Sequence, residues 1–180
     1  MDTDRFAYSW TDGDLVAHSP SIPERKATAD LVAAVGLLDC RLDVIHGVSH
    51  AECLERKRRS NLFFDQAGRE LATRFGTDRP IGWYGNSTLE AAVHGIPAIA
   101  HLAEDSFAGA LRGGHDVRER CPILSTPMGP EGIRETIQRH LSLSPDRRRE
   151  ISWRTRRWVE EFHSYPAVAR ELQVVYDSVS

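Results

Sequence analysis

The chain has 180 residues, enough for one domain that buries roughly 70% of the surface its unfolded form would expose. Its net charge of -3 argues against nucleic acid as the main partner. Three widely spaced cysteines, none in a Cys-x-x-Cys motif, argue against zinc and favour a reduced, cytoplasmic setting. No apolar run approaches the ~20 residues of a membrane span, and the N-terminus lacks a signal-peptide pattern, so we expect neither feature.

The predicted elements alternate between short apolar strands and longer helices. Residues 1–14 are the least regular and are predicted to form an arm or a hairpin before a domain that spans 15–180. The predicted strands lie at 14–19, 41–48, 61–66, 97–102 and 121–126. The predicted helices lie at 25–39, 50–60, 89–94, 105–112 and from 129 onward, with breaks at Pro145 and Pro166, while 67–76 fits a helix or an ordered loop.

This alternation predicts βαβ units, and therefore an α/β domain whose mainly parallel sheet is covered by helices on both faces. In such sheets ligands bind beyond the carboxyl ends of the strands. The loops that follow 19, 48, 66 and 102, together with the glycine loop before Glu90, are therefore the places to look for a site.

The loop "SPSIPERK" directly follows the first predicted strand. Ser21 and Glu24 have the spacing of a capping box, which predicts a helix start there. Arg25 and Lys26 would then lie in the first turn, where cations oppose the helix dipole. A bound anion would reverse that effect, whereas side chains that reach into water would only tolerate it. Both interpretations stay open.

The stretch "GWYGNSTLEAAVHGIPAIA" starts at Gly82. Ser87 and Glu90 again have capping-box spacing, and the N–H groups that follow Gly85 would form a second anion cradle. The two glycines permit a tight backbone and close approach of a ligand. Glu90 can serve as a helix cap, as a ligand contact, or as both, because its oxygens have several lone pairs.

Trp83 and Tyr84 stand inside this glycine loop. They could stack on a ligand ring or fill the core below the loop, and the core is the better-supported interpretation for aromatic residues in general.

The stretch from Gly82 resembles the donor-site signature of retaining GT-B glycosyltransferases of the family-4 type. "LVAHSPSIPERKATADLVAAV" resembles that family's first strand, basic phosphate loop and helix, and "VIHGVSHAECLERKRRSNLFFDQ" its next strand–helix–strand. "RTRRWVEEFHSYPAVARELQVVYDSV" is similar to its closing helices. The resemblance runs over about 15–179 and implies a Rossmann-like domain, the nucleotide-sugar-binding half of a GT-B fold.

The resemblance implies a role for each matching residue. Arg25 and Lys26 would hold the donor diphosphate without a bound metal or other cofactor, and Glu90 would accept hydrogen bonds from the ribose hydroxyls. The first glutamate of the signature, which contacts the transferred sugar in the family, falls on Gly82. The candidate donor-binding residues are Arg25, Lys26, Tyr84, Gly85, Asn86, Ser87 and Glu90.

A complete GT-B enzyme has two Rossmann-like domains, and this chain matches one. The resemblance therefore implies hexosyl transfer from a nucleotide diphosphate sugar, with the acceptor domain supplied by another chain or through a homo-oligomer. The alternative is a non-catalytic nucleotide-sugar sensor or a regulatory subunit. A GT-B-like epimerase is a third possibility.

Other polar segments have ordinary interpretations. The run "ERKRRS" at 55–60 is typical of a solvated helix face, and the basic stretch 146–158 of a surface helix that docks its tryptophans rather than an anionic surface. Asp65 and Gln66 could face the cleft or begin a turn. Polar or core roles are favoured over ligand contacts for His18, His46, His50 and His101.

Overall fold

A computed structural model describes residues 1–69, 80–108, 111–112 and 115–178. The strands are β1 (Leu15–His18), β2 (Arg41–Val44), β3 (Leu62–Gln66), β4 (Ala98–Ala100), β5 (Leu111–Arg112), β6 (His115–Asp116) and β7 (Leu124–Ser125). The α-helices are α1 (Thr28–Val35), α2 (His50–Arg58), α3 (Asn86–Ala92), α4 (Glu104–Phe107), α5 (Val117–Arg120), α6 (Pro130–Leu141), α7 (Pro145–Phe162) and α8 (Tyr165–Ser178).

Five of the strands form one parallel sheet in the order β2-β1-β3-β4-β7, and helices flank it. The predicted α/β, Rossmann-like fold is confirmed. From β1 the chain crosses through α1 to β2 on one side, whereas β3 returns to the other side of β1. The loops after β1 and β3 therefore diverge and leave a crevice, which is where ligands bind in open α/β sheets.

The central strands β1, β3 and β4 are largely buried on both faces, as their apolar sequences predict, whereas the edge strand β2 is partly exposed. Phe63 and Phe64 are consecutive in β3 and point to opposite faces, because side chains alternate along a strand. Phe64 packs with Leu31 of α1, while Phe63 packs with Ala91 of α3. All four are fully buried, and each large side chain contributes about 1.5–3 kcal/mol by leaving water.

Residues 1–14, all within the described part of the chain, contain a 3-10 helix at Thr3–Arg5 and no strand. They form an arm that packs along the domain. The Met1 amino group donates to the His163 carbonyl oxygen at 2.7 Å, and Trp10 is buried in the core.

The helix predicted at 105–112 is present only in its first residues, and the prediction is wrong at its C-terminal end. Helix α4 ends at Phe107, and Leu111–Arg112 instead pairs antiparallel with His115–Asp116. The glycines of "FAGALRGGHD" have poor helix propensity, and strand pairing satisfies backbone groups that such a helix would hold weakly. Positions 109–110 lie outside the described residues, as does most of the segment at 67–76.

The predicted helix at 25–39 begins later, at Thr28. A separate turn precedes it, in which the Lys26 N–H donates to the Ile22 carbonyl oxygen at 3.0 Å. Ala27 then adopts a left-handed conformation with φ 57°, which is uncommon for a residue other than glycine. The turn and the helix are thus two elements, and the loop after β1 is longer than the sequence indicates. Other predicted strands are shorter in the structure: β2 ends at Val44.

The helix breaks predicted at Pro145 and Pro166 are confirmed, because α7 starts at Pro145 and Pro166 lies in the first turn of α8. Among the described helices, none has both the length and the hydropathy needed to cross a bilayer.

Candidate ligand-binding site

An ion pair lies in the crevice between the loops that follow β1 and β3. Lys26 Nζ donates to Asp65 Oδ1 at 2.7 Å. The Asp65 side chain is 1% exposed, whereas that of Lys26 is 17% exposed and reaches the surface of the crevice. The ammonium has three donors, and this bond to Asp65 takes one of them.

Asp65 also caps α3. Its Oδ2 accepts from the Gly85 N–H at 2.6 Å and from the Thr88 hydroxyl at 2.9 Å. The positive end of the helix is therefore stabilised by a carboxylate of the protein itself, brought from β3. The predicted capping box of Ser87 and Glu90 is wrong, because Gly85 is the N-cap residue and has no side chain to accept a bond.

The first predicted capping box is wrong as well. Ser21 and Glu24 lie before α1, Glu24 within the turn itself, and α1 has Ala27 at its N-cap without a side-chain bond. Arg25 and Lys26 therefore lie before the helix and do not oppose its dipole in the first turn. Their position comes from packing of the turn against the loop after β3.

Gly68 marks that packing. A Cβ atom at Gly68 would lie 1.9 Å from the backbone oxygen of Arg25, so only glycine fits at this contact. Arg25 is half-buried beside the crevice.

Glu90 holds a second ion pair. Its Oε2 accepts from Lys57 Nζ at 2.5 Å, and its Oε1 accepts from His50 Nε2 at 3.0 Å. Burial alone would raise the pKa of Glu90, but the hydrogen bonds from Lys57 and His50 outweigh burial and lower that pKa below its usual value. The carboxylate is therefore ionised and is oriented from α2.

Lys57 is the member of this candidate site that sequence reasoning missed. Its side chain is 1% exposed, and its ammonium lies 5.1 Å from the centre of the Phe63 ring. The solvated face predicted for 55–60 is wrong at this position and holds at Arg58 and Arg59, which pair with Glu55 near the surface. One signal was available: Lys57 follows the partly buried Cys53 by four residues, one helical turn.

Ser87 connects the Lys57–Glu90 ion pair to the loop after β1. Its hydroxyl oxygen lies 3.3 Å from Lys57 Nζ and 3.4 Å from the Ser19 hydroxyl oxygen. We name the side chains of Lys26, Lys57, Asp65, Ser87 and Glu90 the ion network. It holds two cations and two anions, and four of its five members were predicted or weighed as cleft residues from the sequence.

The aromatic residues of the glycine loop enter the core. Trp83 stacks on Phe107 with ring centres 4.0 Å apart, and on Tyr84 at 5.3 Å. Tyr84 meets Trp158 edge-on at 5.3 Å, and its hydroxyl lies 3.4 Å from His163 Nε2. The core interpretation of both aromatics is confirmed, and a contact of Tyr84 with a ligand stays a prediction. We name these five residues the aromatic cluster.

Gly82 has φ 57°, a conformation that favours glycine. A Cβ atom there would lie 2.6 Å from the Ser106 hydroxyl oxygen and 2.8 Å from the Ala103 Cβ. A larger side chain at this position, including the glutamate of the family signature, would therefore be strained by the positive φ and by these close contacts.

Two of the four weighed histidines have structural roles, as expected. His18 is fully buried; its ring bonds the Phe64 carbonyl oxygen at 2.9 Å and the Thr28 hydroxyl at 2.8 Å. Burial lowers the pKa of His18 to about 4, so the ring is neutral. His101 bonds the Thr126 carbonyl oxygen at 2.8 Å. His46 Nδ1 lies 3.4 Å from the Pro20 carbonyl oxygen, and His50 pairs with Glu90, so these two also make polar contacts within the chain.

The two tryptophans of 146–158 differ in their burial. Trp158 docks in the core as predicted, whereas Trp153 is 52% exposed and meets Tyr8 edge-on. Among the side chains that the structure describes, no group of three or more His, Cys, Asp or Glu is close enough to hold a metal ion.

No protein family matches the sequence, and no curated protein matches it at a significant level. The class of protein is therefore defined by the fold: a Rossmann-like α/β domain with an ion network at the point where the strand order reverses.

Proposed function

We propose that this domain binds a nucleotide diphosphate sugar as the donor-binding half of a GT-B-like glycosyltransferase. Hexosyl transfer would need an acceptor-binding domain in addition to it. One observation carries the proposal: Lys26, Ser87 and Glu90, each implicated by the resemblance, border one crevice at the switch point of the sheet. That is where Rossmann-like domains bind nucleotides.

The two ends of such a ligand suit different parts of the network. Lys26 has donors beyond the one it gives to Asp65, so a phosphate oxygen can share its ammonium without expelling Asp65. Arg25 lies beside it on the same turn and adds positive charge. A diphosphate leaving group would be stabilised by these cations in place of a metal ion.

Glu90 suits the ribose. Its Oε1 is held by His50, whose side chain is 72% exposed and can swing away at little cost. Its Oε2 stays with Lys57. A ribose hydroxyl can then replace His50 and donate a charge-assisted hydrogen bond to Oε1.

The test is calorimetric titration of the protein with UDP-glucose, GDP-mannose and ADP-glucose, followed by the variant Glu90→Gln. We expect the variant to lose about 5–30-fold in affinity, corresponding to 1–2 kcal/mol for a charged hydrogen bond. It should also unfold more easily, because Lys57 loses its buried counter-ion. Titration is therefore done well below the melting temperature of the variant.

Glu55→Gln is the matched control, because Glu55 is a carboxylate that pairs with cations on α2 outside the crevice. It should leave affinity unchanged. If folded Glu90→Gln binds as tightly as the wild-type protein, Glu90 has no ligand role. If none of the three nucleotide sugars binds, the proposed function is wrong.

A second candidate is a non-catalytic nucleotide-sugar sensor or regulatory module, and Gly82 favours it. The backbone there leaves no room for a carboxylate that would contact the transferred sugar. A domain without that contact and without an acceptor site forfeits the proximity effect, which is worth up to roughly 7–11 kcal/mol. Assays of transfer to simple acceptors distinguish the two: steady-state transfer by this domain alone would exclude the sensor.

A further inference from the structure

The Lys57 ammonium makes two hydrogen bonds and one contact with an aromatic ring. It donates to Glu90 Oε2 at 2.5 Å and to the Ser87 hydroxyl oxygen at 3.3 Å, and it lies against the Phe63 ring. A buried cation is costly to desolvate, so its position is retained only if its contacts are made well. Lys57 therefore supports two neighbouring crevice residues from below.

These two contacts set the roles of the crevice residues. Because Lys57 donates to the Ser87 oxygen, the Ser87 hydroxyl hydrogen points elsewhere and can be donated to an anionic acceptor. Because Lys57 occupies Glu90 Oε2, the other oxygen is the one that a ligand hydroxyl can reach. The result is a donor and an acceptor side by side.

We propose that Lys57 is a positioning residue that orients Glu90 to accept from a ligand hydroxyl and Ser87 to donate to a ligand phosphate. The inference rests on the proposed function. It narrows the ligand to one that presents a hydroxyl donor and a phosphate oxygen to adjacent residues of α3. Nothing in the sequence resemblance assigns a role to this lysine.

The charge of Lys57 matters more than its length. Glu90 is held ionised against burial by Lys57 and His50, both from α2. The Lys26–Asp65 pair lies on the far side of Ser87 and is balanced in charge. Without the Lys57 ammonium, the partly buried carboxylate keeps its burial penalty and loses the closest cation, so it takes up a proton more readily.

The experiment measures affinity for the best-binding nucleotide sugar of the panel between pH 8 and pH 5 in the wild-type protein and in Lys57→Met. Every protein compared, including the one that is otherwise wild-type, carries His50→Ala, so that the titration of His50 does not contribute. We expect a flat profile with Lys57 present. In Lys57→Met, affinity should fall at least tenfold between pH 7 and pH 5, because the ligand must compete with a proton on Glu90.

Arg58→Met is the matched control, since it removes a cation from the next position of α2, where the side chain pairs with Glu55. Its profile should stay flat. Carbon-13 NMR of the Glu90 carboxyl in the free protein gives a second measurement: its titration midpoint should rise in Lys57→Met and stay in place in Arg58→Met.

A third measurement covers the case in which Lys57→Met does not fold. The double variant Lys57→Met/Glu90→Gln removes both charges and should be more stable than Glu90→Gln alone, which leaves the buried ammonium without its counter-ion. A double variant no more stable than Glu90→Gln would overturn the inference.

The remaining outcomes separate the two claims. Nucleotide-sugar binding with an unchanged pH profile in Lys57→Met would overturn this inference and leave the proposed function standing. No binding by the wild-type protein would overturn the proposed function and this inference with it.

Discussion

The segment that runs from the glycine loop into α3 has two halves, and they lie in different environments. Trp83 and Tyr84 enter the aromatic cluster beside α7, where the contacts are ring packing. Ser87 and Glu90, three and six residues after Tyr84 and already in α3, enter the ion network, where the contacts are charged hydrogen bonds. Residues that are close in sequence here therefore make entirely different kinds of contact.

The difference comes from what each half meets. The aromatic half lies over an apolar surface formed by Phe107 and Trp158, so burial stabilises it directly. The polar half meets buried Lys57 and Asp65, whose charges have to be compensated. The first half anchors the loop, and the second half borders the crevice.

The largest expected effect is at the centre of the ion network. Asp65→Asn removes the counter-ion of Lys26 and weakens the cap of α3. We expect a loss of about 3–5 kcal/mol in the free energy of unfolding, the usual cost of breaking a buried ion pair. Urea denaturation measures it. A loss below about 1 kcal/mol would mean that the carboxylate contributes no more than a surface group.

The next largest effect is acid sensitivity that comes from His18 in β1, outside both halves of the loop. His18 has a pKa of about 4 when folded and an ordinary value of 6.5 when unfolded. Because only the unfolded chain takes up the proton between these values, stability is complete above pH 6.5 and falls as the pH drops toward 4, by roughly 3 kcal/mol.

The check is urea denaturation at several pH values. His18→Gln should be less stable at neutral pH and should show a shallower slope, although burial also lowers the pKa of His140 to about 4 and leaves some slope in place. An unchanged slope in His18→Gln would show that His18 does not cause the acid sensitivity.

A smaller loss of stability is expected from a substitution at Gly82, the residue that starts the glycine loop. Gly82→Ala should cost about 2 kcal/mol, from the positive φ and from contact with Ala103 and Ser106. Gly47→Ala is the matched control, because Gly47 also has a positive φ, 70°, but open space around it. Equal losses in the two variants would mean that the close contacts at Gly82 relax without cost.

The smallest expected effect lies in the aromatic half. Tyr84→Phe loses a hydroxyl that lies a long 3.4 Å from His163 Nε2, so stability should change by about 0.5 kcal/mol or less. Affinity for nucleotide sugar should stay the same if Tyr84 belongs to the anchoring half. A clear loss of affinity without a loss of stability would assign Tyr84 to the ligand site instead.

Local pattern was enough to predict the fold class and the position of the crevice. Apolar strands such as 61–66 alternate with amphipathic helices, and a buried parallel sheet follows because no other arrangement covers both apolar faces. The proline signal was local too, which is why the start of α7 at Pro145 could be predicted from the sequence.

Long-range partners decided the rest. Capping-box spacing at Ser87 and Glu90 predicted a local hydrogen bond. Instead, Asp65 of β3 accepts from the Gly85 N–H at the start of α3, and Lys57 of α2 donates to Glu90. A helix end or a carboxylate bonds the best-placed charged group in space, and a buried ammonium without a counter-ion would be too costly to keep. Sequence spacing determined which residues could bond, and the packing of α2 and β3 against α3 determined which of them did.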